Sequence, residues 1–509
     1  MQIRIKAIQS DALRITTDIL AVGVPEQKTL SGTILKLDRK LNGAVSGLMK
    51  LGDFEGKEKT SALFYSQGKI GAARVLLVGL GKKGKADLET LRRAAIAAAS
   101  KAVEIKAVRL CVCLHQEIEG FKPAETAQAI TEGLYFGAYR YDEYLGTDEA
   151  GKKRPAAIEA IIADISASFV AAAKKGLAAG AITGSCQNFA RTLANRPANA
   201  VSPQTLADEA KKIARQTGLR CTILNEKRLA AKKMGGILAV GRGSANKPHL
   251  IILEYRPAKA SNGSTGSPSK NTPTIGLVGK AITFDSGGIS LKPGEGMQDM
   301  KFDKSGGIAV LGAMRAIAQL KPKVRVLGFV PAAENMPSGF AYRPGDIITT
   351  YSGRTVEIHS TDAEGRMILC DAITYAEELG CQTIVDIATL TGACVVALGQ
   401  KRAGVMGNDE KLVERLKETS KKTGERIWPL PCDDEYVEAM KSKIADLKNT
   451  GGRWGGACTA AAFLSQFVKK AKWAHLDIAG VGVWGADETL APGSIGFGVR
   501  LLTAFVMNT

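Results

Sequence analysis

Four short apolar runs in the second half of the chain constrain its fold more than any other feature. TIGLVG (274–279), VRVLGFV (324–330), QTIVDIAT (382–389) and WAHLDIAG (473–480) are too short to be helices and rich in β-branched residues. Longer stretches of helical period separate them. Strands alternating with helices predict a mostly parallel sheet with helices on both faces. In open sheets of this kind, ligands collect at the carboxyl ends of the strands. The residues that directly follow these runs are therefore where chemistry is expected.

A smaller α/β unit is predicted ahead of this one. RVLLVGLG (74–81) reads as a buried strand, and ADLETLRRAAIAAASKAVE (86–104) as an alanine-rich helix with Asp87 and Glu89 near its start. A chain of 509 residues has room for two to four domains at about 100–200 residues each. The expected architecture is α/β with two domains. Residues 1–150 form a smaller N-terminal α/β (macro-like) domain, and the alanine- and lysine-rich segment 151–185 a connecting helix. Residues 186–509 form a larger C-terminal α/β domain with a mixed, mostly parallel sheet flanked by helices. Inside it, the polar stretch SNGSTGSPSKNTP (261–273) has nothing to pack into a core and predicts a flexible surface loop.

Several function classes fall away on composition. No run of about 18 apolar residues is present, so no membrane-spanning helix is expected. The N-terminus lacks an apolar stretch followed by a small-residue cleavage site, which makes a cytoplasmic address the expectation. The nine cysteines are scattered, without C-x-x-C pairs or cysteine–histidine zinc spacing, and predict reduced, mostly buried thiols. With four histidines (His115, His249, His359 and His475), a metal site must rely mainly on other ligands. The net charge of +19 raises the possibility of a DNA partner, but the lysines come in small groups and no DNA-reading motif is evident. Exposed lysines that keep the protein soluble are the simpler reading. Gly79, Gly81 and Gly84 satisfy G-x-G-x-x-G, yet Glu104, the acidic residue at the right distance, precedes the strand AVRLCVCL instead of ending it. A tight turn is predicted there, not a dinucleotide site.

Chemistry concentrates in two segments. In TIGLVGKAITFDSGGISLKPGEGMQDMKFDKSGG, a strand runs into Lys280, followed by Asp285, Lys292 and Asp303. In TVEIHSTDAEGRMILCDAITYAEEL, a strand is followed by Asp362, Glu364 and Arg366, and then by a helix. Asp362 and Glu364 lie two apart, so extended backbone would face them the same way. Four carboxylates in two strand-end loops could hold two divalent cations, for which carboxylate oxygens are suited ligands. The alternative is a salt-bridge network of Lys280 and Lys292 with Asp285 and Asp303, and of Arg366 with Glu364. Charge counting alone leaves both open.

Pattern separates them. VGKAITFDSGGISLKP resembles the metal-binding segment of the leucyl aminopeptidase (cytosol aminopeptidase) family, peptidase family M17, and STDAEGRMILCDAITYA resembles its signature, normally written NTDAEGRL. NRPAN, ENMPSGFAYRPGDI, DIATLTGACVVALG, NTGGRWGGACTAAAFLSQFV and WAHLDIAG follow the family in the right order. The likeness covers the chain from about residue 186 onward, and more loosely the part before it.

That resemblance implies an exopeptidase acting on short peptides with a free N-terminus. Asp285 and Glu364 would bridge two divalent ions. Lys280 and Asp303 would complete one site and Asp362 the other. Manganese or zinc are the first candidates, with magnesium or cobalt open. A ligand lysine must be neutral, which two adjacent cations favour. Lys292 would stay protonated and polarise the scissile carbonyl. Arg366 would hold a bicarbonate ion as general base, its planar fork matching the oxyanion. Met300, Thr389 and Gly392 would shape an apolar first pocket suited to leucine-like residues, with Leu390 giving a backbone contact. A homohexamer is implied too. His359 and His475 have no such role and are expected to be hydrogen-bonded core residues on strands, while Gly287 and Gly288 turn the backbone. The chain departs from the family pattern at Ser360, Met367, Ala281 and Lys304, none of them an implied ligand. A scaffold on an old enzyme fold is a rival that the complete set of implied ligands argues against.

Overall fold

The computed structural model describes residues 2–27, 29–146, 157–257, 273–482 and 493–509. They fall into two compact units, one built on Met1–Asn188 and one on Phe189–Asp487 with Pro492–Thr509.

The first unit is a six-stranded sheet made of β1 (Gln2–Gln9), β2 (Thr17–Glu26), β3 (Ser61–Tyr65), β4 (Ala72–Lys82), β5 (Arg109–Cys113) and β6 (Ala157–Asp164). Its order is β1-β6-β5-β2-β4-β3, parallel throughout except for the edge strand β3. Successive residues of the central strands enter opposite cores. Leu76, Val78, Leu110 and Val112 pack with the helix Leu88–Glu104, while Val75, Leu77, Cys111 and Cys113 pack on the other face. The helix Leu88–Glu104 begins in a capping box between Asp87 and Thr90. The glycine motif ends in a turn, with Gly81 and Gly84 at positive φ.

Residues 151–185 are not one connecting helix. Ala157–Asp164 is a strand inserted between β1 and β5, parallel to both. AIEAIIAD buries Ile158, Ala160 and Ile162 at alternate positions, a period of two that suits a strand. The helix starts only at Ala167 and runs to Asn195.

The second unit carries a nine-stranded mixed sheet. Its strands are β7 (Arg220–Leu224), β8 (His249–Tyr255), β9 (Thr274–Gly279), β10 (Ala281–Asp285), β11 (Arg325–Asn335), β14 (Thr383–Ala388), β15 (Ala403–Gly407), β16 (Ile427–Pro429) and β18 (Lys472–Asp477). Along β16-β15-β18-β14-β9-β11-β8-β7 the central pairs β18–β14, β14–β9 and β9–β11 are parallel, and β10 adds a further parallel pairing to β11. The antiparallel pairs are β15–β18, β11–β8 and β8–β7. A separate three-stranded sheet joins β12 (Ile347–Thr349), β13 (Thr355–Glu357) and β17 (Leu447–Lys448). All four apolar runs read from the sequence are strands, and β9 is buried at every position. Apart from Pro273, the polar stretch 261–273 lies outside the described residues. The nine cysteines are all free thiols, most of them buried. No helix among the described residues is long and apolar enough to cross a membrane.

Candidate metal centre

The carboxyl ends of β9 and β14 meet at Lys280, the single residue between β9 and β10. Its backbone N–H donates to the Ile387 carbonyl on β14 (3.1 Å). Its side chain is 3% exposed, and Nζ donates to Asp303 Oδ1 (2.9 Å), Glu364 Oε1 (2.8 Å) and the Thr389 carbonyl (2.8 Å). Gly365 makes room for it: a Cβ there would lie 2.7 Å from both Cε and Nζ of Lys280.

Asp285 ends β10. Its Oδ1 accepts from the Gly287 N–H (2.9 Å) and from Asn335 Nδ2 (2.8 Å), and its Oδ2 pairs with Lys292 Nζ (2.9 Å). Gly287 and Gly288 reverse the chain at φ of 85° and 65°, a region glycine enters without penalty. The turn returns Lys292 to the site, where Nζ also donates to Asp362 Oδ1.

Asp362 and Glu364 do not lie on one face of a strand. β13 ends at Glu357, and the segment up to Ala363 is a bend and turn that feeds the helix Glu364–Glu378. Asp362 consequently meets Lys292 while Glu364 meets Lys280. Thr361 locks this turn onto the glycine turn. Its Oγ1 donates to the Gly287 carbonyl (2.6 Å), and its own carbonyl accepts from Tyr342 Oη (2.8 Å) and Asn335 Nδ2 (3.0 Å).

Oxygens of Asp285, Asp303 and Glu364 lie within 4.8 Å of one another, all buried. Burial opposes the charge of Lys280, but Asp303, Glu364 and Asp285 outweigh it and hold the ammonium pKa above its usual value. The same contest raises Lys292, chiefly through Asp285 and Glu364. Burial pushes the carboxyls of Glu364 and Asp303 up, and the neighbouring Asp285 pushes further in the same direction. The lysine–carboxylate pairs anticipated as an alternative to a metal site are thus present. They leave Asp303 Oδ2 and Glu364 Oε2 buried without a hydrogen-bond partner among the described residues. A hard divalent cation fits such oxygens.

Arg366 does not pair with Glu364. Its Nη1 donates to the Asn449 carbonyl (2.8 Å), its buried Nε has no partner among the described residues, and burial lowers its pKa to about 10. Thr389 Oγ1 donates to Asp303 Oδ1 (2.7 Å), beside the Thr389 carbonyl that accepts from Lys280. The Leu390 N–H donates to Asp477 Oδ1 (3.2 Å), Gly392 opens the helix Gly392–Leu398 at the surface, and Met300 is half-buried in the 3-10 turn Met297–Phe302. Lys304 is fully buried, its Nζ donating to the carbonyls of Arg196 (3.0 Å) and Lys301. His475 sits inside β18, bonded to Asp386 Oδ1 (2.6 Å), as a core histidine should. His359 is instead exposed, past the end of β13, and pairs with Glu357 (3.0 Å). Sequence reasoning missed Asn335, Tyr342, Asn449 and Asp477. All four sit in motifs that carry the family resemblance, and for Asn335, Asn449 and Asp477 the usable signal is a polar side chain at a strand end.

Two family models match the chain. The cytosol aminopeptidase family N-terminal domain covers residues 21–148, and the cytosol aminopeptidase family catalytic domain covers residues 188–503. A probable cytosol aminopeptidase of Solibacter usitatus is 42% identical over 97% of this chain and 99% of its own. Another, of Syntrophotalea carbinolica, is 43% identical over 96% and 97%. A mutant of tomato leucine aminopeptidase superposes with a TM-score of 0.88 at 33% identity, covering 100% of this chain and 97% of the other. The bottromycin maturation enzyme BotP in complex with Mn superposes with a TM-score of 0.82 at 33% identity, covering 97% and 99%.

Proposed function

Since this chain belongs to the cytosol aminopeptidase family and is a metal-dependent aminopeptidase, we propose that it uses two divalent cations to release leucine-like residues from the free N-terminus of short peptides. The observation that carries the two-cation reading is the buried carboxylate group of Asp285, Asp303 and Glu364, with two oxygens left unpartnered. Asp285 and Glu364 would bridge the cations, Lys280 and Asp303 would hold one, and Asp362 the other. Bound there, two such cations supply a Lewis acid for the scissile carbonyl and a nucleophile at neutral pH. Manganese stands first because a structural neighbour holds Mn, with zinc next and magnesium or cobalt open to the same oxygens.

The residues of the chain do the remaining work. Lys280 would hold a cation as its neutral amine, its proton released to solvent, while an N–H still donates to the Thr389 carbonyl. Lys292 keeps its charge, and its side chain is partly exposed, so its ammonium can donate to an oxygen on which negative charge develops. Arg366 offers a buried, unpartnered Nε, which supports a bicarbonate ion held there as general base. Met300, Thr389, Leu390 and Gly392 are the residues proposed to shape the side-chain pocket. Kinship with the family supports a cytoplasmic homohexamer. DNA binding finds no support in the matched families.

Hydrolysis of leucine p-nitroanilide by metal-stripped protein, with and without added Mn²⁺ or Zn²⁺, tests the reading. Metal should restore turnover to the native chain and not to Asp362→Ala. Absence of turnover across several divalent metals and N-terminal residues would sink it.

A further inference from the structure

We infer that Asn449 is a positioning residue of this centre, holding with its side chain the loop that delivers Asp362 and Glu364 and with its main chain Arg366. The inference rests on the aminopeptidase reading above. Asn449 follows β17 directly and is 0% exposed. The parallel pairing of β13 with β17 runs out at Glu357 and Lys448, and the Asn449 N–H makes one further bond to the Glu357 carbonyl (3.0 Å). Beyond that point the loop has no strand beside it. The side-chain amide of Asn449 takes the place of one. Its Oδ1 accepts from the N–H groups of His359 (2.8 Å) and Ser360 (3.2 Å), and its Nδ2 donates to the Ser360 carbonyl (2.6 Å). Ser360 then accepts through Oγ from the Asp362 N–H (3.2 Å), so the chain of bonds reaches the implied ligand.

The Asn449 carbonyl accepts from Arg366 Nη1 (2.8 Å), the hydrogen bond found for that guanidinium among the described residues. One buried residue therefore bonds both the loop that carries Asp362 and the guanidinium of Arg366. The chemistry admits no close substitute. The position needs an acceptor for two N–H groups and a donor for one carbonyl at the same reach. Aspartate lacks the donor, leucine lacks both, and glutamine is one methylene too long. Partners that orient ligands without touching the metal typically change metal affinity or activity by about 10–100-fold when lost.

The test compares Asn449→Leu with Asp446→Ala in the full chain. Asp446 anchors the far end of the same strand pair through the Thr355 N–H (2.8 Å) and Oγ1 (3.0 Å), with no bond to the site. Mn²⁺ affinity is read by the free-ion EPR signal, and turnover of leucine p-nitroanilide is read at saturating Mn²⁺. Asn449→Leu should bind Mn²⁺ about tenfold or more weakly and lose at least about tenfold in kcat, with KM within about threefold. Asp446→Ala should keep both within about twofold. Native affinity and kcat in Asn449→Leu would overturn the inference. Parallel losses in both variants would overturn it as well, because they would mark a general weakening of the strand pair. A native chain that binds Mn²⁺ without turnover would sink the aminopeptidase reading, while the Mn²⁺ affinities would still decide the role of Asn449.

Discussion

Replacing Gly365 by alanine separates the stability of the fold from the geometry of the centre. Gly365 is the second residue of the helix Glu364–Glu378, where alanine is intrinsically preferred by about 1 kcal/mol. Against this, the added Cβ would lie 2.7 Å from Lys280 Cε and Nζ and 2.8 Å from Leu390 Cδ1. Favourable carbon contacts begin near about 3.5 Å, so the end of Lys280 must withdraw by roughly 0.8 Å. It is not free to do so, because Nζ is tied to Asp303, Glu364 and the Thr389 carbonyl at 2.8–2.9 Å. A shift of that size takes at least one of these bonds past the range in which it counts as a hydrogen bond. Overpacking costs about 1–3 kcal/mol, and a lost bond to a charged group about 1.5–3 kcal/mol. The helix gain offsets part of this, so the net loss of stability should be about 1.5–5 kcal/mol. Metal affinity has no such offset and should fall about 10–100-fold, because Lys280 leaves the position from which it would ligate. Thermal unfolding of the metal-free protein and Mn²⁺ titration of the same sample measure the two effects side by side. A Gly365→Ala protein with native Mn²⁺ affinity would refute the reasoning, since Lys280 would then have moved without consequence.

Two further outcomes are expected. Lys292→Met should lower kcat by about 10²–10³ while Mn²⁺ binds as tightly or more tightly, since Asp285 and Asp362 lose the ammonium that competes with a cation; kcat within tenfold of native would count against a role in charge stabilisation. Metal uptake should release protons, because Lys280 holds its proton above its ordinary pKa and Glu364 and Asp303 hold theirs above the usual carboxylate range. Protons and cation compete, so affinity must weaken as pH falls, by about tenfold per unit for each proton displaced. Calorimetry at pH 7 in two buffers of different ionisation enthalpy counts the protons, and a count of zero would show that these groups are not the ligands.

Much of this was legible in the sequence, for identifiable reasons. Four central strands of the second unit announce themselves because each is a short, continuous apolar run, the mark of burial on both faces. Lys280 and Asp285 stand out because the residues after such runs lie at the carboxyl edge of the sheet, whatever the order of the strands, while Asp362 and Glu364, which follow β13 of the separate three-stranded sheet, stand out through the family signature around them. β6 is hard to see among alanines because a short strand of alanine and isoleucine runs within two residues into a long alanine-rich helix, with Asp164 and Ser166 as the one turn and cap signal between them. His359 was misplaced because β13 is only three residues long and ends before the histidine.

Tertiary structure alone decided who holds the site together. Asn335 bonds Asp285 across 50 residues, and Asn449 bonds Ser360 across 89. Lys280 reaches Thr389 across 109. Local periodicity fixes which residues a strand or helix presents, but not which distant element lies beside it. That depends on strand order, and here the placement of β14 against β9, and of β17 against β13, brings these partners within hydrogen-bonding reach. The chemical groups of the centre are therefore written in the sequence, while their mutual orientation belongs to the packed sheet.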